Sequence, residues 1–166
     1  MITLVLGGAR SGKSAVAERL AATLSTEVTY LATAAIDGDD ADFMSRVERH
    51  RARRPPAWTT VETGSDLATH LAAVEGTVLV DSLGSWAAAH DNFEVGLDAM
   101  IDALSRRVGP TVLVSEEVGL GVHPSTEVGG RFRDALGLVN QRVADLADQV
   151  VLVVAGRVFP LDRSPW

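Results

Sequence analysis

Cysteine is absent from the 166 residues, which excludes a disulfide framework and any thiolate metal centre and fits a reducing compartment. Lysine is nearly absent too: fourteen of the fifteen basic residues are arginine, and Lys13 is the one ammonium side chain. The Asn-Lys-x-Asp loop by which switch GTPases read guanine therefore has no place here. Positive charge is scarce overall, with a formal net charge of −7. That balance argues against general nucleic-acid binding and against anchoring to anionic lipid. Long hydrophobic runs are also missing. No apolar stretch approaches the ~20 residues needed to span a bilayer, and the opening "MITLVLGG" has too short an apolar run and no basic flank for a signal peptide. A cytoplasmic protein is the expectation. Apolar residues make up 46% and charged residues 22%, an ordinary globular balance with enough chain for one core. One domain over residues 1–166 is expected.

Strand and helix patterns alternate along the chain. "ITLVL" (2–6) ends in Gly-Gly and leads into a helix from Lys13 to about Leu24; "EVTYLA" (27–32) reads as a second strand. After the polar loop "DGDDAD" (37–42), helical spacing runs from about Asp42 to Arg53 and stops at Pro55-Pro56. "WTTVE" (58–62) reads as a short strand or a connector, and Ser65 is the expected N-cap of a helix through Ala73. "TVLVD" (77–81) and "TVLVS" (111–115) are β-branched runs typical of strands buried on both faces, with helical spacing over roughly 93–108 between them. In 131–148, Phe132, Ala135, Leu136, Val139, Val143 and Leu146 share one helix face. "VVLVVAG" (150–156) is the last strong strand, with "RVFPL" (157–161) pairing back on it. This alternation predicts an α/β fold, a mostly parallel sheet with helices on both faces. Ligands of such sheets bind at the carboxyl ends of the strands.

The segment "GGARSGKS" places Gly7, Gly8, Ala9, Arg10, Ser11, Gly12, Lys13 and Ser14 between a strand and a helix. It matches G-x-x-x-x-G-K-[ST], the loop whose backbone N–H groups cradle phosphates at a helix N-terminus. Gly7, Gly8 and Gly12 are expected to give the backbone the conformations this requires. Lys13 would neutralise the β- and γ-phosphates, and Ser14 would ligate Mg²⁺. A second acid is expected on the metal side at the end of a buried strand. Asp81 supplies it, with Glu116 and Glu117 as competitors.

"RVERHRARR" (46–54) puts five arginines around His50 in this acidic chain. On a helix, Arg46, His50 and Arg54 lie one above another. The pattern describes either a solvated basic face or a set of guanidinium groups gripping phosphates while His50 acts on one. A neutral imidazole can attack an α-phosphorus and expel pyrophosphate. Neighbouring arginines would stabilise charge on the equatorial oxygens and lower the pKa of the imidazole.

Read together, these blocks resemble the bifunctional adenosylcobinamide kinase / adenosylcobinamide-phosphate guanylyltransferase family of cobalamin biosynthesis. The blocks carrying the likeness are "GGARSGKS", "YLATA" (30–34), "RVERHRARRPPAWTTVE" (46–62), "EVGLGVHP" (117–124) and "RFRDALGLVNQRVADLAD" (131–148). The resemblance implies a P-loop fold and two steps: phosphorylation of adenosylcobinamide by ATP or GTP, then GMP transfer from GTP through a histidine that falls on His50. It carries nucleotide contacts onto Gly7–Ser14, Thr33, Ala34, Ala35, Arg51, Ala52, Arg53, Arg54, Glu62 and Asp81, with Lys13 and His50 catalytic and Ser14 and Asp81 on the metal. It also implies a homotrimer. The chain departs from the family pattern at Glu116, where Asn is common, at Ser82-Leu83-Gly84, where Cys-Leu-Thr is common, and at His123, where an apolar residue is usual. His70 and His90 read as helix-surface residues. Two other functional classes fit the P-loop: a kinase of another small alcohol with no covalent intermediate, and a non-enzymatic nucleotide sensor.

Overall fold

The computed structural model describes residues 1–34 and 54–163. The expected helix over 42–53 lies outside these residues. Seven strands form one sheet: β1 (Ile2–Gly7), β2 (Val28–Ala32), β3 (Thr59–Glu62), β4 (Thr77–Asp81), β5 (Thr111–Glu116), β6 (Gln149–Val154) and β7 (Arg157–Pro160). Their order is β3-β2-β4-β5-β1-β6-β7. All neighbours run parallel except β7, which returns antiparallel on β6 as the hairpin read from the sequence. The central strands are continuous runs of Leu and Val because helices cover both faces. The α/β architecture expected from the alternation is the one observed.

One face holds α1 (Lys13–Leu24), whose Ala17 and Ala21 pack on Val5, Leu79, Val112, Val114 and Val153. The opposite face holds α2 (Leu67–Ala73), α3 (Leu83–Ala88), α4 (Leu97–Arg106) and α5 (Glu127–Leu146) over Leu4, Leu6, Leu31, Val78, Val80 and Leu113. Trp86 of α3 is buried in that larger core and donates its indole N–H to the Ser65 carbonyl at 2.9 Å.

Several boundaries differ from the sequence reading. Asp66, not Ser65, stands at the N-cap of α2, and no side chain caps that helix. Helix α5 begins earlier than residue 131 because Thr126 caps it, its hydroxyl accepting from the Gly129 N–H at 3.1 Å. The region 93–108 is divided between a 3₁₀ turn at Asp91–Phe93 and α4. A left-handed Asn92 breaks the helical path there. On α5 the buried face is Leu136, Val139, Asn140 and Val143, so a polar residue sits inside the stripe expected to be apolar.

Just after α4, Arg107 ties the amino-terminal end of the sheet together. Its guanidinium donates to the carbonyls of Leu71 (2.8 Å), Val74 and Gly76 (2.7 Å) and to the Thr111 hydroxyl (2.9 Å). The carbonyls left open at the end of α2 are thereby satisfied, and burial lowers the pKa of the guanidinium. Arg107→Ala is expected to lower the free energy of unfolding by about 2 kcal/mol, measured by urea denaturation. Nucleotide affinity should stay unchanged, because this clasp lies at the opposite end of the strands from the phosphate loop.

Candidate active site

Parallel strands bring their carboxyl ends to one edge of the sheet, and the candidate residues collect there. The register pairs Gly7 of β1 with Glu116 of β5, Asp81 of β4 with Val114, and Ala32 of β2 with both Asp81 and Glu62. Thr33, Ala34, Glu62, Asp81 and Glu116 therefore share the edge that carries the loop after β1, with Glu116 on the adjacent strand and Asp81, Thr33 and Glu62 successively two, three and four strands away. Side chains alternate along a strand, so Asp81 shares the α1 face with Leu79, and Glu116 shares it with Val112 and Val114.

The loop from Gly8 to Gly12 is closed by backbone hydrogen bonds, one within the loop and one from the β6–β7 turn. The Ser11 N–H donates to the Gly8 carbonyl at 3.3 Å, and the Gly156 N–H from the β6–β7 turn donates to the Ser11 carbonyl at 2.8 Å. Gly12 has φ 91° and caps α1 without a side-chain hydrogen bond of its own, while the Lys13 N–H donates to Ser11 Oγ at 3.4 Å. The three glycines expected to act alike do not. Gly12 needs its left-handed conformation, whereas a Cβ on Gly7 would meet Ser11 Oγ and, at 2.8 Å, the Val153 carbonyl. Gly8 lacks a positive φ, and a Cβ there would meet nothing within 4 Å. Arg10 takes the other left-handed position of the loop, at φ 55°.

Lys13, its side chain 11% exposed, places Nζ 3.3 Å from Glu116 Oε1. The ammonium also donates to the Gly8 carbonyl at 3.4 Å. Of the three acids weighed for the metal side, Glu116 is the one paired with the loop lysine. Asp81 is held elsewhere: Tyr30 donates its hydroxyl to Asp81 Oδ2 at 2.8 Å. Burial, then the neighbouring Asp81 carboxylate, raises the Tyr30 pKa well above its usual value, while Arg54 pulls the other way. Tyr30 accordingly stays a neutral donor across the working pH range.

Arg54, the last arginine of "RVERHRARR", lies with its guanidinium carbon 3.3 Å from the centre of the Tyr30 ring. Its Nη1 donates to Thr60 Oγ1 at 2.9 Å. The chain's one tyrosine thus joins the arginine segment to Asp81, a role that the sequence reading did not assign. The available signal was its place in β2, two residues before Ala32. Thr33 spends its hydroxyl on the Ser82 carbonyl at 2.6 Å, which makes it a strand-end brace. Ala35, His50, Arg51, Ala52 and Arg53 lie outside the described residues.

Asn140 was also missed. From α5 its amide donates to the Glu116 carbonyl at 3.0 Å and accepts from Ser115 Oγ at 2.6 Å, fixing the end of β5. Two of the three departures from the family pattern meet here. Ser82 Oγ donates to Glu116 Oε2 at 3.0 Å, and a Cβ on Gly84 would overlap that same oxygen. The third, His123, is exposed, with Nδ1 2.9 Å from the Pro124 carbonyl. His70 and His90 each place Nδ1 against a backbone carbonyl, of Asp66 and Trp86, but His90 lies past the end of α3, half-buried and edge-on to the Trp86 ring, so it is not the helix-surface residue expected.

Ser14 and Asp81 supply a hydroxyl and a carboxylate, the hard oxygen donors that suit Mg²⁺ shared with a nucleotide. Among the described residues no group of three His, Cys, Asp or Glu forms a dedicated metal cage, and a nucleotide-borne magnesium needs none. A cavity of about 880 Å³ between α2 and α4, lined by Ala68, Ala72, Glu75, Asp102 and Arg106, opens near Gly76 and Gly109, where β4 and β5 begin. It is remote from this edge.

A model of the family described as cobinamide kinase / cobinamide phosphate guanyltransferase matches residues 3–161. The chain belongs to this family. It is thereby an enzyme of the transferase class, in a family that combines kinase and guanylyltransferase activities. It is 38% identical over 174 residues to the bifunctional adenosylcobalamin biosynthesis protein CobP of Pseudomonas aeruginosa, covering 99% of each chain. It is 35% identical over 178 residues to CobU of Salmonella typhimurium, covering 94% of this chain and 97% of that one. CobU of Escherichia coli is equally similar, at 35%. Among solved structures, an ATPase from the type III secretion system of pathogenic bacteria superposes with a TM-score of 0.53 at 11% identity. That match covers 91% of this chain, spans 50% of the ATPase, and reports a shared fold alone. No helix among the described residues is long and apolar enough to cross a membrane.

Proposed function

We propose that the protein phosphorylates adenosylcobinamide with ATP or GTP, then transfers GMP from GTP to adenosylcobinamide phosphate through His50, giving adenosylcobinamide-GDP and pyrophosphate. Family membership supports the pair of activities. The observation that carries the reading is Arg54, seated on Tyr30, which in turn holds Asp81. It anchors one end of the arginine segment at the edge that also carries the phosphate loop.

In the kinase step, the loop N–H groups and Lys13 hold the β- and γ-phosphates. The acceptor hydroxyl oxygen bonds to the γ-phosphorus as the bond to the β-phosphate oxygen breaks; the nucleoside diphosphate leaves and the hydroxyl proton is released. Bound through Ser14 and Asp81, magnesium would supply charge neutralisation on the phosphate oxygens. In the second step, His50 bonds to the α-phosphorus of GTP and pyrophosphate departs. A phosphate oxygen of the acceptor then displaces the imidazole, forming the diphosphate bond. Arg51, Arg53 and Arg54 would spread the transition-state charge, with Thr33, Ala34, Ala35, Ala52 and Glu62 lining the nucleotide.

A homotrimer accompanies this reading, as does a cytoplasmic setting. The half-exposed Val158 (48%) and Phe159 (52%) of the edge strand β7 offer apolar surface for a subunit contact. Light scattering of the purified protein checks that stoichiometry.

Supplying adenosylcobinamide with γ-labelled and, separately, α-labelled GTP tests the two steps. Label from both positions should enter the corrinoid, the γ-phosphorus first. Entry of γ-label alone would identify a simple kinase, and entry of neither would end the reading.

A further inference from the structure

Lys13 is the residue on which any P-loop chemistry turns, and its ammonium is engaged within the protein. Its ammonium meets Glu116 Oε1 at 3.3 Å and the Gly8 carbonyl at 3.4 Å. The carboxylate that holds it is itself held. Oε2 accepts from Ser82 Oγ, and Ser82 caps α3 by accepting from the Ser85 N–H at 3.2 Å. The Glu116 backbone is fixed by its register with Gly7 and by the amide of Asn140. Gly84 leaves the volume that Oε2 fills, since a Cβ there would overlap that oxygen. The carboxylate, 29% exposed, is thus braced at Oε2 by Ser82 and cleared of obstruction by Gly84. Such a pocket is built for a carboxylate, and its anion stands where the lysine would otherwise await a phosphate.

We infer that Glu116 is a positioning residue that pairs with Lys13 before nucleotide binds and makes nucleotide entry depend on magnesium. An arriving triphosphate takes the ammonium away from Glu116. Without a divalent cation, the uncovered carboxylate then faces a polyanion across a partly buried site, where like charges are poorly screened. Magnesium carried by the nucleotide removes that conflict, because the carboxylate then faces a cation and its waters. Mg²⁺ and Glu116 are therefore coupled through the nucleotide, and such couplings span roughly 5–150-fold in affinity. The selection excludes bare triphosphate, whose occupation of the loop would be unproductive. This inference rests on the phosphate-loop part of the proposed function and not on His50.

Isothermal titration with GTP, once in excess EDTA and once in millimolar MgCl₂, tests it on wild type, Glu116→Gln and Glu116→Asp. Wild type should prefer the magnesium form by about 30-fold. Glu116→Gln frees Lys13 and removes the anion, so its affinity for metal-free GTP should rise by about tenfold while its affinity for MgGTP changes by less than about threefold. Glu116→Asp, which keeps the charge, should keep the preference. A purely structural role for Glu116 would weaken both forms of GTP together. Equal metal-free affinities in wild type and Glu116→Gln, with MgGTP binding intact, would overturn the inference and leave the proposed reaction standing. Absence of MgGTP binding in wild type would remove the nucleotide site and the inference with it.

Discussion

Wild-type protein incubated with α-labelled GTP and magnesium, with no corrinoid present, should carry acid-labile covalent label, and the His50→Ala protein should carry none above background. The expectation follows from phosphorus chemistry. When imidazole nitrogen bonds to the α-phosphorus, the bond to the bridging oxygen breaks and pyrophosphate takes the electron pair. What remains is a phosphoramidate, stable to base and cleaved by acid. Withholding the acceptor stops turnover at that stage, and pyrophosphatase keeps the step from reversing. With the nucleophile gone, the arginines of "RVERHRARR" cannot replace it, because guanidinium groups stay protonated and non-nucleophilic at working pH. GMP transfer should fall by about 10³-fold or more. Phosphorylation of adenosylcobinamide should persist in the same variant, since it draws on Lys13 instead. Intact mass spectrometry of the wild type should show a single added GMP. Equal labelling of wild type and His50→Ala would show that the nucleophile lies elsewhere.

Lys13→Ala is expected to lower kcat/KM for the kinase step by ~10²-fold or more, the usual cost of removing a charged group from developing charge in a site shielded from water. The structure adds a reason for a large loss. Without the ammonium, Glu116 keeps its carboxylate, braced by Ser82, beside the phosphate loop with no cation to offset it. The variant loses an attraction and uncovers a repulsion. Lys13→Arg should rescue little, because a planar fork cannot replace a compact ammonium in a loop closed by the Ser11–Gly8 and Gly156–Ser11 hydrogen bonds. Lys13→Arg, which keeps a cation beside Glu116, should melt close to wild type, whereas Lys13→Ala leaves that carboxylate without its partner and should melt somewhat lower. Steady-state kinetics with varied ATP or GTP checks the loss; full activity in Lys13→Ala would place the triphosphate away from this loop.

Much of this site was legible in one dimension. The strand–loop–helix around "GGARSGKS" is a contiguous device whose backbone geometry is set by residues next to one another, so Gly12 and Lys13 stand where the motif puts them. The acids were harder. Two buried strands end in carboxylates, and periodicity alone cannot say which lies beside Lys13. That depends on β5, not β4, being hydrogen-bonded to β1. Tyr30 and Asn140 escaped notice for a related reason. Each is one residue in a segment otherwise read for its apolar pattern, and each finds its partner in a different element, Asp81 across 51 positions and Ser115 across 25. The boundary of α5 moved because a single threonine hydroxyl, not hydrophobic spacing, starts that helix.

By itself the sequence determined the α/β class, the phosphate loop and the family, because these rest on local spacing: alternating runs, a glycine-rich turn and ordered blocks of motif. Only the tertiary structure decided that Glu116, Ser82 and Gly84 form one braced carboxylate facing Lys13, and that Arg54, Tyr30 and Asp81 form one chain of contacts. Strand order is chosen by how the two hydrophobic faces are buried together. No local pattern along the chain encodes which distant residues that choice makes neighbours.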